Sequence, residues 1–366
     1  MKKIFLLFFI LILFSINISF GQYNKKDTIN TKGLSHEDMV RIFGDVFEPG
    51  KVFTKANGDK AAIKEVIISG NKITTIIYNY GSITKPNTLP NVADLVWQGL
   101  GYGYEFGPLA ASQIVTSTDT IIIVDDSFVT VSQGSYSPDG TLKWGWLPKN
   151  GYADPNQGAV ATLNAKDNDG DGKPDSWPER FFNPGAGKYL WPAFLGDQAT
   201  APDEEAYYVM DDYTNQSFVG NAPYFPFPSD QSKRGLGLDA EVRIVQYNNP
   251  LAEDIMFLIY RITNASAKDL ARVYFGMHGD PHIGGNLNFA DDRAFFIPPK
   301  GSLAEPYPQR ARSMVYAFDD DMLGDGGRRA GYFGWQFLES PTNSVDLKDN
   351  DDDGLIDDSP FNSAGE

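Results

Sequence analysis

Apolar positions along this chain recur mostly with a period of two. Glu65 to Ser69 and Lys72 to Tyr78 flank Gly70-Asn71, the spacing of two short strands joined by a tight hairpin turn. Ser112 to Thr116 and Thr120 to Val124 flank another turn, and Phe128 to Ser132 is a short strand candidate. Ala240 to Tyr247, Ile255 to Thr263 and Arg272 to Met277 predict a three-strand antiparallel meander. Its second strand is largely apolar, as expected of a strand covered on both faces. Ser313 to Phe318 and Gly331 to Leu338 are further strand candidates. No long stretch carries the helical period of about 3.6 residues. One short helix is predicted where Ser35-x-x-Asp38 precedes Met39, Val40, Ile42 and Phe43, a capping arrangement. The fold class that follows is all-β: β-sandwich domains with long loops.

The region from about 133 to 236 has little periodicity and is rich in Gly, Pro and aromatic residues. It holds Trp144, Trp146, Trp177, Trp191 and the run Phe225-Pro226-Phe227-Pro228. Disordered segments are poor in aromatics, so this region reads as long ordered loops with short strands. Its tryptophans read as local core; the competing reading is a stacking platform for sugars.

The N-terminus has the three parts of a secretion signal. Lys2 and Lys3 are followed by the apolar run Ile4 to Phe14 and by the small residues Ser19 and Gly21. That run is too short to span a bilayer, and cleavage is expected after Gly21. The expected organisation is then a signal peptide over 1–21, a linker with a short helix over 22–44, and a β-rich region with long loops over 45–235. A β-sandwich domain over 236–345 and an acidic loop within 346–366, leading into a further module downstream, complete it. The expected location is extracellular or on the outer cell surface, with no transmembrane segment after cleavage.

The formal net charge is −17 and there is no Cys. Without Cys there are no disulfide staples in an exported chain. The acidic balance excludes nucleic acid as an expected partner, since phosphate binding needs concentrated Lys and Arg. The Asp residues are clustered rather than spread, which points to cation capture.

Two clusters share the register D-N-D-x-D-G-x-x-D. Calcium takes six to eight oxygens, and carboxylates at alternate positions of a tight loop can face inward together. In the first loop, 167–178, the expected ligands are Asp167, Asp169, Asp171, the carbonyl of Lys173 and Asp175. In the second they are Asp349, Asp351, Asp353, the carbonyl of Leu355 and Asp357. The twelfth position, a bidentate Glu in an EF-hand, is Pro178 or Pro360. Helical periodicity is absent on both sides. The loops therefore look like thrombospondin type-3 or dockerin-like calcium repeats, and calcium is the expected cofactor.

Other constellations are weaker. His278-Gly279-Asp280-Pro281-His282 has the makings of a transition-metal site, but the chain has only three His. Asp280 with Asp291 and Asp292 is a candidate third calcium site. Gly235-x-Gly237-x-x-Ala240 matches a dinucleotide fingerprint on paper but enters a strand instead of a helix. Asp211-Asp212 and Asp319-Asp320-Asp321 are carboxylate runs of the kind a glycosidase requires, if set about 5–9 Å apart across a cleft. No G-x-S-x-G elbow and no H-E-x-x-H site is present, so no catalytic site is identified.

Tyr78-Asn79-Tyr80-Gly81-Ser82-Ile83, Tyr104-Glu105-Phe106-Gly107-Pro108-Leu109 and Tyr332 to Pro341, with the Asp349 to Asp357 ending, resemble segments of large uncharacterised exported surface proteins of bacteria that use type IX secretion. That resemblance implies further β-sandwich modules and a sorting domain downstream. It implies no catalytic residues. The function expected is a secreted or cell-surface calcium-binding β-rich protein with a structural, adhesion or interaction role. Its partners would be calcium ions and surface glycans or other extracellular proteins. The alternative is a secreted carbohydrate-active hydrolase or carbohydrate-binding module.

Overall fold

The first predicted pair of strands is present, but the tight turn at Gly70-Asn71 is not: that turn would set Ile68 opposite Ile73, and a longer connection sets it opposite Thr75. Strands β1 (Glu65–Ile68) and β2 (Ile73–Tyr78) pair antiparallel, Glu65 opposite Tyr78 and Ile68 opposite Thr75. The computed structural model describes residues 57–84, 95–116, 120–128, 136–192, 201–216, 224–270, 272–285, 288–297 and 314–338. The candidate helix at 35–43, the second acidic loop and most of the Phe128–Ser132 candidate lie outside them. β3 (Leu95–Trp97), β4 (Leu100–Val115) and β5 (Thr120–Asp125) follow. β4 and β5 are the second predicted hairpin, with Val115 opposite Thr120. β5 alternates cleanly: Ile123 and Asp125 are buried while Ile122 and Val124 are exposed.

The loop-rich middle holds four two-residue strands, β6 (Leu147–Pro148), β7 (Ala161–Thr162), β8 (Phe182–Asn183) and β9 (Lys188–Tyr189). It also holds a long strand that the hydrophobic pattern does not announce, β10 (Glu204–Asp211). β10 is buried at every residue after Glu204, so its polar and apolar positions have no solvent face on which to alternate. It pairs along its whole length with β11 (Leu238–Gln246), which pairs in turn with β12 (Met256–Asn264). β6 and β7 also pair with β10.

The predicted meander stops at two strands. β13 (Val273–Pro281) pairs with β4 rather than β12, Val273 opposite Ser112 and Asp280 opposite Glu105. β4 precedes and β13 follows position 235. Periodicity sets which residues of a strand face inward, but the choice of neighbour depends on chain closure between sheets. The prediction of a doubly covered second strand also fails. β12 is only half-buried, whereas β11, with Asp239, Glu241 and Arg243, is buried throughout. A central strand can bury charges where opposite charges meet them. Arg243 Nη1 lies 2.5 Å from Glu205 Oε1, Tyr207 Oη donates to Glu241 Oε1 at 2.7 Å, and Arg261 also pairs with Glu241.

β14 (Asp292–Ile297) and β15 (Met314–Asp319) are followed by β16 (Leu323–Gly324), β17 (Arg328–Arg329) and β18 (Tyr332–Gln336). β15 and β18 match the last two strand candidates. The sheets run β1-β2-β3-β4-β13 with β5 also on β4, β12-β11-β10-β6 with β7 also on β10, and β14-β15-β18; β16-β17 and β8-β9 are two-stranded. The architecture is mostly antiparallel β with almost no helix, as expected. No helix among the described residues is long and apolar enough to cross a membrane.

The chain divides into two compact units. The larger takes residues 44–293 and 317–333. Its core includes one cluster around Ile73, Leu95, Leu100, Tyr102 and Ile283, and another around Tyr152, Trp177, Phe181, Tyr207 and Val209. The smaller takes 1–43, 294–316 and 334–366. Its described part is 294–297, 314–316 and 334–338, where Phe295 stacks on Tyr316 at 5.8 Å.

Candidate metal centre

The first acidic loop connects β7 to a short 3-10 turn at Glu179–Phe181. Its ends are tied, because Asp175 N–H donates to the Lys166 carbonyl at 2.8 Å. Between them the chain turns at Gly170 (φ 78°) and Gly172 (φ 89°). Both sit in the left-handed region that glycine enters at little cost. The turns send backbone N–H groups inward. Asp167 accepts from Gly170 N–H at 2.7 Å through Oδ1 and from Gly172 N–H at 2.9 Å through Oδ2.

The result is convergence of three carboxylates. Asp167, Asp169 and Asp175 each place one oxygen within 4.8 Å of the other two. Asp175 closes the group from the far end of the loop, accepting from Asn168 Nδ2 at 2.5 Å and from Asn168 N–H at 3.1 Å. Those bonds hold the Asp175 carboxyl below the usual carboxylate range, so it is ionised and able to ligate. Asp171 stands outside this trio, and its Oδ1 accepts from Lys173 N–H at 2.8 Å.

Lys173 puts a cation into this acidic loop, but its charge is met outside it. Its Nζ is turned away to Asp154 Oδ2 at 2.5 Å and Glu179 Oε1 at 2.8 Å. Burial raises the Asp154 carboxyl, but the bond and charge of Lys173, the Asn156 N–H and the Lys64 charge together outweigh it and hold the group low. The ammonium is thus neutralised outside the loop, which leaves the Lys173 carbonyl as the group it can offer an ion. Neither Asp154 nor Glu179 stands out in the sequence, because the pairing depends on how segments 154 and 179 fold around the loop.

The loop is also pinned to the core. Trp177 is buried, donates through Nε1 to the Thr162 carbonyl at 2.7 Å, and packs on Trp191 at 5.3 Å and Phe181 at 5.7 Å. Trp146 is fully buried as well. Trp146 and Trp177 are therefore interior residues and offer no platform for a sugar. A cleft lined by Lys64, Asn79, Lys149, Asn150, Tyr152 and Tyr208, among others, has no carboxylate in its wall.

The other singled-out residues serve the interior. His278 packs on Phe128 at 3.8 Å, and His282 packs on Tyr104 and Phe289 at 4.6 Å each. Burial lowers the His278 imidazole to about 4. Neither joins a group of converging ligand atoms among the described residues. Gly235 (φ 70°) and Gly237 (φ 82°) do shape an anion nest, but its occupant is internal. Asp212 accepts from Leu236 N–H at 2.5 Å and Leu238 N–H at 2.8 Å, and also from Gly237 N–H. The glycine spacing was visible in the sequence; the carboxylate that fills the nest was not.

No protein-family model matches this chain, and no curated protein or solved structure matches it at a significant level.

Proposed function

We propose that this chain is a secreted or cell-surface calcium-binding protein with a structural, adhesion or interaction role, its strands packed as a β-sandwich. The observation that supports this reading is the meeting of Asp167, Asp169 and Asp175 on a loop whose one lysine is neutralised elsewhere. Oxygen-only ligands suit a hard cation, and an irregular carboxylate set suits calcium better than magnesium. The signal-like N-terminus, the net charge of −17 and the absence of Cys fit an exported protein that ions help to hold together. The second acidic loop, Asp349 to Asp357, and the resemblance to type IX secretion-associated surface proteins belong to the same reading.

The ion's role here is to brace. The loop is joined to the aromatic cluster through Trp177, so fixing its carboxylates restrains a segment that carries little regular structure. Extracellular sites bind calcium at about 10⁻⁴–10⁻³ M. An ion at ten times its dissociation constant stabilises the fold by about 1.4 kcal/mol per site.

Thermal melting of the full chain in chelator and in millimolar calcium tests the reading. Calcium is expected to raise the melting temperature by a few degrees, and Asp167→Asn with Asp169→Asn to reduce that rise. An equal melting temperature in both solutions overturns it.

A further inference from the structure

Asp291, Asp319 and Asp321 form a second group of converging carboxylates, each with one oxygen within 4.8 Å of the other two. Asp319 ends β15 and Asp321 lies in the turn that follows; Asp291 immediately precedes β14. β14 and β15 are neighbours in one sheet, which brings the two segments together.

Asp319 is not a surface aspartate. It is 0% exposed. Its Oδ1 accepts from Leu323 N–H at 3.0 Å. Its Oδ2 is enclosed and has no hydrogen-bond partner among the described residues. Asp292 repeats the pattern: Oδ2 accepts from Ile283 N–H at 2.8 Å, while Oδ1 is enclosed without a partner. Leaving enclosed carboxylate oxygens unmet is strongly unfavourable. The adjacent cation does not relieve them. Arg293 is directed to Asp320, Nε to Oδ1 at 2.7 Å and Nη2 to Oδ2 at 2.8 Å.

The turn fixes the geometry. Met322 adopts φ 61°, and Leu323 N–H is shared between Asp319 Oδ1 and Asp321 Oδ1, the latter at 2.8 Å. Two carboxylates at alternate positions are thereby held on one turn, and a third, Asp291, converges on them from the entry to β14. We propose that Asp291, Asp319 and Asp321 hold a calcium ion separate from the one proposed for the 167–175 loop, on whose reading this inference rests. All the donors are hard oxygens, and they come from two segments without octahedral regularity, which favours calcium over magnesium. The ion would tie the entry of β14 to the exit of β15. The sequence groups Asp280 with Asp291 and Asp292; the fold instead brings Asp319 and Asp321 to Asp291.

Equilibrium dialysis of the full chain against radioactive calcium tests this. Asp319→Asn and Asp321→Asn are each expected to lower the bound calcium by one ion per chain. The control Asp320→Asn, beside them but turned to Arg293, is expected to leave it unchanged. Asp321 is exposed, so its variant carries the test if Asp319→Asn does not fold, with circular dichroism checking the fold. Unchanged stoichiometry in folded Asp321→Asn overturns the proposal, as does an equal loss in Asp320→Asn. Combination with Asp167→Asn and Asp169→Asn is expected to remove a further ion. Loss in only one of the two sets separates failure of this site from failure of the loop.

Discussion

Arg243 on β11 donates to Glu205 on β10 at 2.5 Å, with both side chains enclosed. Val245 lies opposite Glu205 in the ladder, and Arg243 lies opposite Tyr207, whose ring it covers at 4.5 Å. The pair is therefore diagonal, on one face of two adjacent strands. Removing one member leaves a buried charge without its partner. Arg243→Leu is expected to cost about 3–5 kcal/mol, read from urea denaturation. Arg243→Leu combined with Glu205→Leu is expected to cost less than the single change, because the enclosed carboxylate that faced Arg243 is removed with it. A double variant no more stable than the single would show that the pair does not account for the loss.

Trp177 joins the acidic loop to the core. Trp177→Ala is expected to destabilise the chain by about 3–5 kcal/mol through the cavity it leaves among Phe181, Trp191 and Tyr207. Because the loop ends on this residue, the same variant is expected to bind calcium more weakly than the parent in a titration. Wild-type affinity in a destabilised but folded Trp177→Ala would mean that the loop holds its shape independently of the cluster.

Lys173→Met removes the ammonium but keeps the carbonyl. It leaves Asp154, which is buried, without the cation that holds its carboxyl low. Because that carboxyl is held low by Lys173, its pairing stabilises the fold above the unfolded carboxylate range and is lost in acid. The variant is expected to lose stability most at neutral pH and least below about pH 4. Denaturation midpoints that fall equally at both pH values would count against this.

Asp125, the last residue of β5, faces Asp212, which follows β10. Asn215 Nδ2 donates to Asp125 Oδ1 at 2.6 Å, and Asp125 Oδ2 is enclosed. Burial, and then the Asp212 charge beside it, hold the Asp125 carboxyl well above the usual range. Burial lifts Asp212 to about 7, against the hydrogen bonds it receives from Asp125 and the nest. Both groups bind a proton more tightly folded than unfolded. Their contribution to stability is complete below the unfolded carboxylate range and is lost as pH rises through about 7. Urea midpoints are expected to fall from pH 6 toward pH 9. Asp125→Asn, which donates without ionising, is expected to flatten that fall. An unaltered slope in the variant would rule out the pair as its source.

The period-two pattern and the turn residues determined by themselves that the chain is β-rich, that 65–78 and 112–124 form hairpins, and that strands lie near 314–319 and 332–336. The alternation of Asp167, Asp169 and Asp171 with Gly170 and Gly172 pointed to a tight acidic loop, because those turns are local and glycine permits them; the fold gathers Asp167, Asp169 and Asp175 and leaves Asp171 outside the group. Only the tertiary structure decided that β13 joins β4, that β10 exists as a long strand, and that charged β11 is the buried one. Strand partners are chosen by contacts between residues far apart in sequence, and a charge becomes an interior residue only when its counter-charge arrives from another strand. Asp319 and Asp291 meet for the same reason: the sheet, not the spacing between them, brings β14 and β15 side by side.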